Sequence, residues 1–280
     1  MFLVTDPYTL KEHLRKLLGT DNSLGLVPTM GALHDGHLEL VKRSVHENAL
    51  TVVSIFVNPL QFNNPDDLTK YPRTLDEDCA MLEAVGCDIV FAPSAEEMYA
   101  NPPRLKLDFG DLERVMEGAF RPGHFNGVGI VVARLFNMVQ PARAYFGQKD
   151  WQQVAVVRRL IEDLSFPIEL VACPTVREAD GLAMSSRNRR LSDHEREIAP
   201  LIHRTLQEAK HQLQSGISIQ KVKQLVSGKF ARQPEFALEY FEIADATTLQ
   251  PLDALPPEGK TALCVAAQLG AVRLIDNVVF

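Results

Sequence analysis

Two histidines three residues apart, His34 and His37, stand in the run Val27-Pro28-Thr29-Met30-Gly31-Ala32-Leu33-His34-Asp35-Gly36-His37. Residues at i and i+3 share one helix face, so both imidazoles can address one point beside a helix's opening turn. A helix N-terminus offers free backbone N–H groups and partial positive charge, a natural seat for phosphate. Gly31 and Gly36 let the backbone come close to a ligand. Imidazoles placed there can donate hydrogen bonds to phosphate oxygens whose charge grows in a transition state. The spacing is neither a Walker A loop nor the dinucleotide-binding fingerprint. Zinc would need a third ligand at suitable spacing, and none is evident. A pair of ordinary surface or capping histidines is the plainer alternative.

Three other segments carry chemistry-bearing types. Asn58-Pro59-Leu60-Gln61-Phe62-Asn63-Asn64-Pro65-Asp66-Asp67, running on to Tyr71-Pro72-Arg73, reads as a long loop, and such loops are usually functional or mobile. Gln61 can place an amide against a small polar substrate; a solvated loop glutamine is the alternative. In Phe146-Gly147-Gln148-Lys149-Asp150-Trp151-Gln152-Gln153, Lys149 sits where a phosphate would come. Asp150 is a plausible N-cap, and Gln153, one turn into the helix, can face the same crevice as Gln61. Met184-Ser185-Ser186-Arg187-Asn188 offers two hydroxyls and a guanidinium, which suit polyphosphate; taken alone it reads first as a solvated polar turn. His124, in Arg121-Pro122-Gly123-His124-Phe125, is expected to cap or pack, with a site role as the lesser alternative. Asp76, Glu77 and Asp78 read as a first helical turn matched to the macrodipole, with help in holding magnesium as the lesser alternative.

These segments need elements to position them. Leu24–Val27, Thr51–Val57, Asp88–Phe91, Ala144–Phe146 and Ile168–Val171 are short, β-branched or aromatic runs that read as buried strands. Near-continuous apolar strands suit a parallel sheet covered on both faces. Asp6 or Thr5 before Pro7 opens a helix that Gly19 closes. Thr74-x-x-Glu77 is a capping-box pattern, and Trp151 to Leu164 has helical periodicity. Alternating strands and helices predict a doubly wound parallel α/β sheet over residues 1–173. Beyond Pro174 the texture changes to helices followed by strands. Ser192-x-x-Glu195 should open one long helix to about Leu213, followed by a helix over about Ile219 to Ala231. Three strand-like runs come next: Ala237–Ile243, Thr261–Gln268 and Ala271–Ile275. The expectation is a smaller α+β domain over 174–280, with the Met184–Asn188 segment near the boundary, where ligand sites are favoured.

The chain of 280 residues is 46% hydrophobic and 23% charged, enough apolar residue to exclude intrinsic disorder. No apolar run approaches the roughly 18 residues of a bilayer span, and no secretory signal is apparent, so a cytoplasmic protein is expected. A net charge of −7 argues against general nucleic-acid or membrane binding. Four scattered cysteines, Cys79, Cys87, Cys173 and Cys264, form no CxxC pair, and none enters the functional reading.

Taken together, Pro28–His37, Ser54–Phe62, Tyr71–Thr74, Gly147–Asp150 and Ser185–Asn188 resemble the pantothenate synthetase (pantoate–β-alanine ligase) family over essentially the whole chain. A lone HxGH also occurs in other nucleotidyl-transferring enzymes; the ordered set is far more specific. The resemblance implies a Rossmann-like N-terminal domain with a smaller C-terminal lid, in a homodimer. It implies that pantoate is adenylated by ATP with Mg2+ and that β-alanine then displaces AMP. His37 would be the catalytic residue, recorded as a proton donor, with His34 and Lys149 stabilising the same phosphate. Met30, Gly31, Ala32, Leu33, His34, Asp35, Gly36, His37, Gly147, Gln148, Lys149, Asp150, Val176, Met184, Ser185, Ser186 and Arg187 would line the ATP site. Gln61 and Gln153 would hold pantoate, with Gln61 also near β-alanine. The metal ligands are not implied. The chain departs from the family pattern with Asn126 where arginine is common, which removes a positive charge, and with Gln148 for glutamate and Met184 for leucine. The rivals are another HxGH nucleotidyltransferase with a different acceptor, a class I aminoacyl-tRNA synthetase, and a catalytically silent nucleotide-binding protein.

Overall fold

A computed structural model describes residues 1–18, 23–63 and 65–280, without the Asp67 side chain; Gly19 and Asn64 lie outside the described residues. Six parallel strands form the main sheet: β1 (Phe2–Val4), β2 (Leu24–Thr29), β3 (Leu50–Ile55), β4 (Ile89–Phe91), β5 (Arg143–Gly147) and β6 (Glu169–Cys173). Their order is β1-β4-β3-β2-β5-β6. From β2 the chain steps outward through β3 and β4, then returns to the other side of β2 for β5 and β6. In open α/β sheets the ligand crevice lies outside the carboxyl ends at this reversal, here between β2 and β5. Both segments that carry the proposed phosphate-binding side chains, Met30–His37 and Gly147–Asp150, leave the sheet there.

β2, β3 and β4 are buried along nearly their whole length, as expected of central parallel strands. The edge strand β1 is absent from the sequence reading. With three residues and two of them exposed, it has too few apolar positions to leave a pattern.

The Pro7–Leu17 helix starts as read, with the Asp6 carboxylate accepting from the Thr9 N–H at 2.8 Å. Two other helix starts differ. Thr74 stands at the N-cap of Leu75–Ala84 but makes no side-chain cap bond, so the capping box read there is not formed. Asp150 likewise occupies the N-cap of Trp151–Asp163 without a side-chain cap bond. The Ser192/Glu195 box does form. The single long helix expected after it is two, Asp193–Ile198 and Leu201–Gln214, interrupted at Pro200. Proline has no N–H to give and its ring crowds the carbonyl four residues back.

The C-terminal part is an antiparallel meander, β7 (Phe236–Asp245), β8 (Thr261–Leu269) and β9 (Val272–Val279), packed on the Leu201–Gln214 and Ile219–Phe230 helices around a core of its own. Polar links tie it to the main sheet's helices. Trp151 Nε1 donates to the Ala246 carbonyl at 2.9 Å, and buried Glu117 accepts from Arg273 at 2.7 and 2.8 Å and from the Tyr240 hydroxyl at 2.8 Å. None of the described helices is long and apolar enough to cross a membrane.

Candidate active site

One crevice collects the side chains that the sequence scattered. Met30, His34, Gly36 and His37 line it from the end of β2, with Gly147, Lys149, Asp150 and Gln153 from the end of β5. Gln61 comes from the loop after β3, and Val176, Met184, Ser185, Ser186 and Arg187 from the segment entering the C-terminal part. Gly31, Ala32, Leu33, Asp35 and Gln148 do not line it.

The backbone after β2 turns through an unusual path. Gly31 has φ +79° and Ala32 has φ +50°, both left-handed, and for alanine this conformation costs on the order of 1 kcal/mol or more. The buried carboxylate of Asp78 holds the turn, its two oxygens accepting from Ala32 N–H at 2.9 Å and Leu33 N–H at 2.8 Å. Asp78 does stand in the first turn of the helix Leu75–Ala84, as read, but its buried carboxylate is engaged by the β2 turn through both oxygens.

At the N-cap of the helix Asp35–Glu47, the Gly36 N–H donates to His34 Nδ1 at 3.1 Å, and the His34 N–H donates to His37 Nδ1 at 3.4 Å. Backbone N–H groups expected to seat phosphate are thus taken up by imidazoles. The consequence is chemical. A ring whose Nδ1 accepts must, when neutral, carry its proton on Nε2, so each histidine passes the helix-end donor outward as an Nε2–H. The ring centroids lie 4.1 Å apart, with the planes tilted by 39°. Burial, assisted by the Lys149 and Arg189 charges, lowers His34 to about 4; burial, His34 and Lys149 lower His37 to about 3. Both are neutral donors at physiological pH.

The opposite wall is built on the helix His124–Val139. At Gly127 an added Cβ would lie 2.3 Å from the Leu60 carbonyl, so only glycine lets the Pro59–Gln61 turn rest directly on this helix. Asn58 fixes the Gln61 amide. Its Nδ2 donates to the Gly127 carbonyl at 3.0 Å and to Gln61 Oε1 at 3.1 Å, while its Oδ1 accepts from the Tyr99 hydroxyl at 2.9 Å. With Oε1 occupied, Gln61 Nε2 donates one hydrogen to Met30 Sδ at 3.1 Å and keeps the other for an incoming oxygen.

His124 packs, as one of its readings had it, and does not cap the helix; buried against the Gln61 carbonyl, it also lines this wall. A guanidinium can only donate, so the 3.2 Å contact from Arg121 makes His124 Nε2 an acceptor and leaves its proton on Nδ1, which donates to the Gln61 carbonyl at 2.8 Å. Burial, then the Arg121 charge, lowers it to about 4. Asn126 is not in the crevice; its Oδ1 accepts from the Leu107 N–H at 2.9 Å, a bond an arginine there could not make.

Asn58, Tyr71 and Arg121 also line the crevice without having been singled out for it, and Asp78 supports it from behind. Local pattern holds little signal for such roles: Asp78 meets its partners across 45 and 46 positions, and His124 meets Gln61 across 63.

The three lowered histidines carry a stability prediction. Each is neutral when folded and takes up its proton on unfolding, so below pH 6.5 the unfolded chain binds more protons. Stability is fully present above pH 6.5 and is lost as the pH falls toward about 4 to 3. A calorimetric Tm should drop steeply from pH 7 to pH 5, and His37→Gln should flatten the slope. A Tm unchanged over that range would rule out burial of the neutral rings.

The sequence profile of the Pantoate-beta-alanine ligase family matches residues 3–279. The pantothenate synthetase of Bacteroides fragilis is 51% identical over 269 residues, 96% of this chain and 95% of that protein; the one from Cytophaga hutchinsonii is 46% identical over 280 residues, 100% and 99%. The crystal structure of pantothenate synthetase from Thermus thermophilus superposes with a TM-score of 0.91 at 45% identity, covering 99% of both chains. Pantoate-beta-alanine ligase from Francisella tularensis, crystallised with beta-gamma ATP and beta-alanine, gives 0.82 at 33% identity, covering 99% of this chain and 97% of that one. A family match over residues 3–279, with relatives about half identical along nearly the whole chain, places the chain in the pantoate–β-alanine ligase family.

Proposed function

We propose that this chain joins pantoate and β-alanine into pantothenate, using ATP, in two displacements. The pantoate carboxylate attacks the α-phosphate, an O–P bond forms, and pyrophosphate leaves. The β-alanine amine then attacks the carbonyl of the resulting mixed anhydride, the amide bond forms, a proton is lost from nitrogen, and AMP leaves. The observation that carries this reading is the pairing, within one crevice, of neutral Nε2–H donors and Lys149 at one wall with outward amide donors at the other.

His34, His37 and Lys149 act on the α-phosphate, whose negative charge grows as the carboxylate attacks. His37 serves as a hydrogen-bond donor to that phosphate. The 184–187 segment and Val176 hold the rest of the nucleotide. Gln61 and Gln153 take the oxygens of pantoate, and Gln61 also lies next to the β-alanine position. The Francisella relative, solved with beta-gamma ATP and beta-alanine, supports the same two ligands here. Mg2+ would arrive with ATP and offset the polyphosphate charge; the N–H groups, hydroxyls and cations on these walls suit phosphate oxygens, and Asp150 is the carboxylate among the sequence-predicted residues that line the crevice. The C-terminal part, residues 174–280, acts as a lid that keeps water from the acyl adenylate. A cytoplasmic homodimer completes the reading, checked by sedimentation.

The deciding assay follows pyrophosphate and AMP release from MgATP with pantoate and β-alanine added singly and together. Pyrophosphate should need pantoate, and sustained AMP release should need both. Release with neither, or ATP binding with no turnover under any combination, would refute the assignment. In the same assay Gln61→Ala should raise the pantoate KM about tenfold, the weight of one hydrogen bond, with the ATP KM little changed. Equal shifts in both would remove Gln61 from the acid subsite.

A further inference from the structure

Lys149 and the 176–187 segment lie on different parts of the chain, yet one dipeptide near the C-terminus touches the supports of both. Asn277, on β9 and only 6% exposed, donates from Nδ2 to the Gln148 carbonyl at 2.9 Å and to the Lys149 carbonyl at 2.7 Å. Carbonyl oxygens only accept, so the amide orientation is dictated: both Nδ2 hydrogens are used, on consecutive residues of the turn that carries Lys149. Its neighbour Asp276, 4% exposed, accepts from Arg177 at 2.7 and 3.0 Å, a two-pronged pair. Arg177 also donates to the Gly181 carbonyl at 3.0 Å, and it bridges Ala183 in antiparallel fashion, which sets the direction in which Met184–Arg187 enters the crevice. The Asn277 backbone N–H donates to Asp276 Oδ1 at 2.8 Å, which fixes the Asp276 carboxylate against the strand that carries both residues.

We infer that Asn277 and Asp276 are positioning residues for the nucleotide side of the crevice: Asn277 aims Lys149, and Asp276 sets the Arg177–Ala183 bend. Neither has been assigned a role by the pattern of motifs. The inference rests on the reading of Lys149 as the cation at the transferring phosphate. Its physical content is that β9, through two adjacent buried side chains, makes the geometry of the phosphate site depend on docking of the C-terminal sheet. A misplacement of about 1 Å at reacting groups costs about 10²-fold in rate, so two hydrogen bonds to the turn's own carbonyls suffice to matter.

The test is Asn277→Asp, which keeps the size but turns carboxylate oxygen toward two carbonyls. Pyrophosphate formation in the first displacement should fall at least tenfold and the ATP KM should rise, while the pantoate KM stays within about twofold. A merely structural role would not give that split. The decisive measurement is a cycle with Lys149→Ala: in that background Asn277→Asp should add almost no further loss, because there is no ammonium left to aim. If Asn277→Asp fails to give folded protein by circular dichroism, Asn277→Ser, which keeps one donor, carries the same predictions at smaller size.

Multiplicative losses in the double variant, or equal shifts in both KM values, would overturn the inference. A Lys149→Ala variant with normal adenylation would instead overturn the role given to Lys149, so the two failures are separable.

Discussion

Replacing His37 by alanine should slow pyrophosphate release in the first displacement by about 10²–10³-fold, the scale of one transition-state donor lost. The ATP KM should move only a few fold, because the donor matters most when charge has built up on the α-phosphate. The tautomer of His37 decides this. The His34 N–H binds His37 Nδ1, so the proton that faces the crevice is on Nε2, and burial together with His34 and Lys149 holds the ring near 3. A neutral ring can donate a hydrogen bond without giving up its proton. The adenylation rate should therefore show no ionisation from His37 between pH 8 and pH 5.5. A rate that climbs on acidification across pH 6.5 would mean a ring that titrates normally and acts as a general acid. Wild-type turnover in His37→Ala would remove His37 from the chemistry altogether.

Asp78→Ala should be nearly as damaging, although the side chain never reaches the crevice. Its loss leaves the buried N–H groups of Ala32 and Leu33 without acceptors, a cost of about 1–3 kcal/mol each. It also releases a turn in which Ala32 is held left-handed. We expect a lowered Tm and a kcat reduced by about 10²-fold as His34 and His37 lose their seat. Asp78→Asn is the sharper variant, since its Nδ2 must confront one of the two N–H groups. It should lose most of the activity while keeping volume. A Tm and kcat equal to wild type in Asp78→Ala would show that the turn holds itself.

Much of the framework was legible because parallel strands buried on both faces write themselves as apolar runs. Leu24–Val27, Thr51–Val57 and Asp88–Phe91 correspond to β2, β3 and β4 within a few residues. Helix starts were legible where a side chain does the capping, as at Asp6 and Ser192, and misleading at Thr74, where a suitable residue type stands in place without making the bond. Pro200 shows a different limit: the periodic pattern continues across it, and the backbone does not.

The residue types and their order along the chain were enough to specify an α/β sheet, four loop segments of chemical interest and the family that uses them. Chain order alone could not say which hydrogen each imidazole carries, since that follows from the backbone N–H groups that meet His34 and His37 at Nδ1. Nor could it say that His124 props the Gln61 carbonyl, that Asp78 stands behind the β2 turn, or that Asn277 grips the turn carrying Lys149. Those are bonds between residues 45 to 128 positions apart. Strand order brings them within 3 Å. Local sequence records periodicity and capping because those interactions span a few residues; protonation state, amide orientation and support from behind depend on what the folded chain puts next to each group.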